Sequence, residues 1–148
     1  MTNATLVGVD NATLFGTATN PLFTTPTSAL PGGATAVTAS SGNVAAASAV
    51  ATLPGVAGKT TYITGFEITA GGATAAALVA ATLAGIISGT ATYIFAAPAG
   101  VAVGAQPLVV SFSQPIPASA VNTAIVLTLP SLGAGNTNAA VVAHGFQQ

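Results

Sequence analysis

In the run Thr60-Thr61-Tyr62-Ile63-Thr64-Gly65-Phe66-Glu67-Ile68-Thr69-Ala70, apolar and polar residues alternate along most of its length. On an extended chain Tyr62, Thr64, Phe66 and Ile68 share one face, and Thr61, Gly65, Glu67 and Thr69 share the other. Period-two alternation is the mark of a half-buried β-strand. A helix would need an apolar stripe recurring every three to four residues, and no segment of this chain carries one.

The same pattern extends in both directions. Residues 44–53 read as a strand ended by Pro54-Gly55. Residues 74–84 are rich in alanine, which also suits a helix, but their Thr, Val and Leu content and glycine borders favour a strand. Residues 90–96 put Tyr93 and Phe95 on one face ahead of a turn at Pro98-Ala99-Gly100. Leu108, Val110 and Phe112 alternate with Val109, Ser111 and Ser113, and Pro115 and Pro117 predict the end of that strand. Ile125, Leu127 and Leu129 alternate up to Pro130. After a turn at Gly133-Ala134-Gly135, residues 138–146 place Val142, His144 and Phe146 on one side. About eight short strands punctuated by turn residues predict an all-β, antiparallel β-sandwich of jelly-roll-like form over residues 36–148.

Residues 1–35 read differently. Asn-Ala-Thr-Leu-x-Gly begins at Asn3 and again at Asn11, and Pro21, Pro26 and Pro31 follow. Proline removes backbone donors and steers the preceding residue away from helix. An extended N-terminal arm lying along a neighbour is one reading, and a free terminus is the other.

Charge is nearly absent. Among 148 residues Lys59 is the only Lys or Arg, Asp10 and Glu67 are the only carboxylates, and there is no cysteine. Charged residues make up 2% of the chain, against roughly 25% in ordinary soluble proteins. A surface of hydroxyls and amides lacks the repulsion that holds monomers apart, so much of it is expected to be covered by partners. One cation cannot neutralise a phosphate backbone, which excludes direct nucleic-acid binding.

The same scarcity argues against chemistry. His144, Asp10 and Glu67 are the conventional acid–base groups, and catalysis needs such groups placed together. No Gly-x-Ser-x-Gly elbow exposes a nucleophile. Zinc calls for four Cys, His or carboxylate ligands and the chain has three candidates in all. His144 reads as a partly buried or interface histidine, and Lys59 and Glu67 as solvated or interface charges. The expectation is a non-enzyme with no catalytic residues, no cofactor and no metal.

The start, Met1-Thr2-Asn3-Ala4-Thr5-Leu6, has neither the basic nor the continuous apolar region of a secretory signal. The uncharged stretch 73–87 is interrupted by Gly85 and lacks flanking basic anchors, so no membrane partner is expected.

Several stretches resemble a group of small tailed-phage virion proteins. They are Gly58-Lys59-Thr60-Thr61-Tyr62-Ile63-Thr64-Gly65-Phe66-Glu67; Thr92-Tyr93-Ile94-Phe95 with Pro98-Ala99-Gly100-Val101; Leu108-Val109-Val110-Ser111-Phe112; Pro115-Ile116-Pro117-Ala118; Gly133-Ala134-Gly135-Asn136-Thr137-Asn138; and Val141-Val142-Ala143-His144-Gly145. The resemblance implies a jelly-roll cement, or decoration, protein of tailed bacteriophages. Such a protein is made in the bacterial host cytoplasm, binds the capsid exterior and stabilises contacts between major capsid protein subunits. It implies the major capsid protein and a second or third copy of the chain (a homodimer or homotrimer) as partners. It carries no active site over.

Two other readings stand beside it. A head spike or tail-fibre module would occur in far fewer copies per particle than a cement protein. A carbohydrate-binding or hydrolytic β-sandwich would use aromatic platforms and carboxylates, and this chain has no Trp, two Tyr and two carboxylates far apart in sequence.

Overall fold

The computed structural model describes residues 30–73, 77–97, 99–100, 107–133 and 135–148, together with the short strands β1 (Leu6–Val7) and β2 (Leu14–Phe15). Of the expected arm, residues 30–35 are also described: the Ala34 amide donates to the Pro31 carbonyl (3.1 Å) in a turn, and Thr35 already begins a strand paired with the C-terminal one. The rest of the arm lies outside the described residues, as do Asp10 and the turn residues Pro98 and Ala134. β1 and β2 pair antiparallel, Leu6 opposite Phe15 and Val7 opposite Leu14. Each strand comes from one copy of the Asn-Ala-Thr-Leu-x-Gly repeat.

The remaining elements are all strands: β3 (Thr35–Ser40), β4 (Ala49–Leu53), β5 (Thr61–Gly71), β6 (Ala77–Ile86), β7 (Gly89–Ala97), β8 (Leu108–Pro117), β9 (Ile125–Leu129) and β10 (Asn138–Gln147). They form two antiparallel sheets of four, ordered β3-β10-β5-β8 and β4-β9-β6-β7. The pairings β3·β10, β4·β9, β5·β8 and β6·β7 are nested, first strand with last and innermost with innermost. That is one long hairpin, rolled until β10 also reaches β5 and β9 also reaches β6. Rolling a hairpin in this way makes a jelly roll, so the expected fold class is the observed one.

The core lies between the sheets. Ala49, Ala51 and Leu53 of β4, and Ile125, Leu127 and Leu129 of β9, face Ile63, Phe66 and Ile68 of β5 and Ala139, Val141 and Ala143 of β10. Phe66 joins the layers, meeting Tyr93 of β7 edge-to-face at 4.9 Å between ring centres, a favoured aromatic geometry. At one end Asn136, buried, donates from Nδ2 to the carbonyls of Gly71 (2.9 Å) and Asn138 (3.1 Å), tying the β9–β10 connection to the end of β5.

Three strand expectations change. First, Tyr62 and Thr64 do not share a face with Phe66 and Ile68. Thr61 and Ile63 are buried at one end of β5, Phe66 and Ile68 at the other. The parity flips because Gly65 pairs with His144 while Ile63 pairs with the adjacent Gly145, leaving Thr64 as an extra residue. This is a β-bulge. Second, residues 44–53 are not one strand. Val44 bridges to Ala139 of the first sheet, Ala46 adopts φ 54°, and only then does β4 begin in the second sheet. The break is where the chain crosses between layers. Third, of the two prolines expected to end β8, only Pro117 does so, and the strand runs through Pro115. As an edge strand it tolerates a missing donor, and its pairing jumps from Ser111↔Gly65 to Ile116↔Ile63, so the intervening residues leave the ladder.

Two glycines make the bulge possible. A Cβ on Gly65 would lie 2.6 Å from the Val110 carbonyl oxygen. One on Gly145 would strike the Tyr62 carbonyl oxygen and approach Leu53 Cδ1 to 3.1 Å. Most of these contacts are backbone, which cannot swing aside. Gly145→Ala is therefore expected to lower stability by about 1–3 kcal/mol through overpacking. Gly71→Ala, where an added Cβ meets nothing within 4 Å, should stay within about 0.5 kcal/mol of the parent. Urea midpoints at unchanged slope provide the measurement.

Candidate functional site

With the inner faces spent on the core, two outer sheet faces remain, and they differ in chemistry. Across the sheet β3-β10-β5-β8 one rung reads Ser40–Val142–Glu67–Val109 and the next Thr38–His144–Gly65–Ser111. A third reads Ala36–Phe146–Tyr62–Pro117. Phe146 lies outside the core cluster and stacks on Tyr62 at 4.8 Å, which leaves it 3% exposed. Val142, His144 and Phe146 do share a side, as expected from their spacing.

Glu67 and His144, far apart in sequence, become diagonal neighbours on β5 and β10. Together with Thr64, Val109 and Ser111 they line a shallow depression of about 200 Å³. Ligand pockets usually span roughly 300–1,000 Å³ and close around their occupant. A glutamate, a histidine and a serine on adjacent strands suggest a relay, so their geometry matters. His144 and Ser111 stand on opposite sides of Gly65, two strand spacings or about 9–10 Å apart at the backbone. Proton transfer needs about 3 Å between heavy atoms. Among the described residues no hydrogen bond links Glu67, His144 and Ser111; Thr64 Oγ1 donates instead to the His144 carbonyl (3.1 Å). Gly65, between His144 and Ser111 in the rung, offers no side chain to connect them.

Lys59 sits in the β4–β5 connection, away from this depression. Its amide donates to the Val56 carbonyl (3.0 Å) and its carbonyl accepts from Asn122 (2.9 Å). No ion pair joins it to Glu67 among the described residues, and no three His, Asp or Glu side chains converge there. Residues 77–86, part of the uncharged stretch, form β6, and no helix among the described residues is long and apolar enough to cross a membrane.

The second outer face, on β4-β9-β6-β7, carries no charged residue at all. Its central rung is Val50–Thr128–Thr82–Thr92. Beside it lie Thr52–Val126–Ala84, then Ala80 opposite Ile94 and Leu78 opposite Ala96. Leu78 is 77% and Ile94 60% exposed, large side chains standing out from a face of methyls and hydroxyls. Sequence reading missed these two residues. Their signal was present in the apolar character of both parities of β6 and β7, but it is ambiguous until the buried parity is known. Chemically the face suits broad, non-directional contact, because apolar area is what it offers.

Comparison of the chain with protein-family models, with curated proteins and with solved structures finds no match.

Proposed function

We propose that this protein is a structural part of a virus particle: a cement protein that binds the outside of a tailed-phage capsid and braces contacts between major capsid protein subunits. The observation that carries the reading is the charge-free outer face of β4-β9-β6-β7, with Leu78 and Ile94 in solvent. A monomer at work in water has little use for such a face, whereas a subunit seated among neighbours does. The resemblance of the stretches between Gly58 and Gly145 to virion proteins supplies the setting, and the jelly-roll architecture is compatible with it. In this reading the protein is not an enzyme. Glu67 and His144 are polar punctuation on the face turned away from the tightest contact. Many copies on one shell make weak individual contacts sufficient, since multivalency raises effective concentration.

Cryo-electron microscopy of the particle tests the reading directly. Density for the sandwich is expected on the shell exterior, at a copy number approaching that of the shell protein. A chain found only at a vertex or along a tail would favour a spike or fibre instead. Attachment should also be nearly indifferent to salt. With so little charge to screen, raising NaCl from about 0.1 to about 1 M is expected to change affinity by less than about threefold. A steep loss would indicate a charged interface and contradict the proposal. Deleting residues 2–33 should leave the sandwich folded by circular dichroism while weakening attachment to shells; unchanged binding would remove the arm from the interface.

A further inference from the structure

The two sheets have four edge strands, and three of them are blunted. β3 is six residues long, and β4 is five residues long and closed by Pro54. β8 contains Pro115 and Pro117 and a break in its ladder. Short length, proline and bulges are the devices by which proteins keep sheet edges from pairing with other chains. β7 has neither short length nor proline, and the one irregularity in its ladder, between Leu83 and Ile86 of β6, falls at its Gly89 end. The strand runs for nine residues, Gly89–Ala97, without proline or charge, pairs with β6 on one side, and has no strand on its other side among the described residues. Ile94, on its outer face, is 60% exposed.

We infer that β7 is a self-association edge, and that two copies of this chain pair their β7 strands antiparallel about a twofold axis. The unpaired ladder specifies the occupant as a β-strand, because only a strand satisfies a row of alternating donors and acceptors. Three observations identify that strand as a second β7. A strand paired with itself about a twofold sets residues near the axis against their own copies, where a charge would meet a like charge; β7 has no charge. β1 and β2 are two residues long each, too short to cover a nine-residue edge. The rest of the N-terminal segment contains Pro21 and Pro26, which cannot donate to a ladder. The pairing makes one continuous eight-stranded sheet and merges the two charge-free outer faces, with Ile94 at the seam and Leu78 one strand behind it. The inference goes beyond the proposed function by adding a self-pairing edge and needs no capsid to be present.

The chain has no native thiol, so single cysteines report proximity cleanly. Thr90→Cys, Thr92→Cys, Ile94→Cys and Ala96→Cys, each in the purified full-length protein under mild oxidation, place a thiol along the outer face of β7. The member nearest the axis is expected to form a disulfide-linked dimer on the order of a hundredfold faster than Val109→Cys on β8, because paired strands hold the two thiols at millimolar effective concentration. The parent should sediment at twice its 14.0 kDa mass. Ile94→Lys, which sets like charges across the seam, should sediment as a monomer with unchanged circular dichroism. A parent that stays monomeric at about 100 μM, a trimer, or a β7 series no faster than Val109→Cys would each overturn the inference. Since no particle enters these measurements, failure here leaves the capsid reading to its own test. Dimers that do not bind shells would sink that reading and leave this one standing.

Discussion

The sandwich depends on the pairing of β5 with β10 at the centre of one sheet. This is the longest ladder in the fold, from Asn138↔Gly71 to Gln147↔Thr61, and the bulge at Thr64 lies in the middle of it. Without the extra residue, Tyr62 and Thr64 would point inward with Phe66, and Ile63 would face water. With it, Thr61 and Ile63 fill one end of the core, while Phe66 and Ile68 fill the other and Phe66 reaches Tyr93 across the layers. Gly65 and Gly145 let the two backbones come close enough for this to happen. A bulge increases local twist, and the same place is where β8 leaves its register and where the shallow depression opens.

One consequence is the separation of polar from apolar function. The only described carboxylate and the only histidine fall on the outer face of the sheet that contains the bulge, while the opposite sheet is left with threonine, alanine and a few large apolar side chains. A charge-poor chain can still be one-sided. Here the polar side holds Glu67 and His144 without joining them in a proton relay, and the apolar side presents Leu78 and Ile94. The proposed contact through that side rests on the same composition that leaves the chain with so few groups for chemistry.

Much of this was legible in the residues. Alternation at Leu108–Phe112 and at Ile125, Leu127 and Leu129 places those strands and their buried faces correctly. Proline at 54 and 130 ends β4 and β9 as expected, and the single cation and the lack of cysteine needed no structure. Other features were hidden for physical reasons. β3 is built from Thr, Ala, Val and Ser, too small and too even for alternation to stand out. The crossing between Val44 and Ala49 looks like strand because alanine and serine are neutral between strand and turn. Pro115 is a stop signal only for a central strand, and whether β8 is central or an edge is a matter of topology.

By itself the sequence determined the class of the fold, the scarcity of acid–base groups and the want of charge, since each follows from composition and from a periodicity local to a few residues. Only the tertiary structure decided which parity of β5 is buried, that Glu67 and His144 become neighbours without bonding, that one sheet face is free of charge, and that β7 has no strand on its outer side among the described residues. These depend on pairing between residues remote in the chain. A single extra residue in one ladder inverts every side chain beyond it, and no local pattern records where that residue falls.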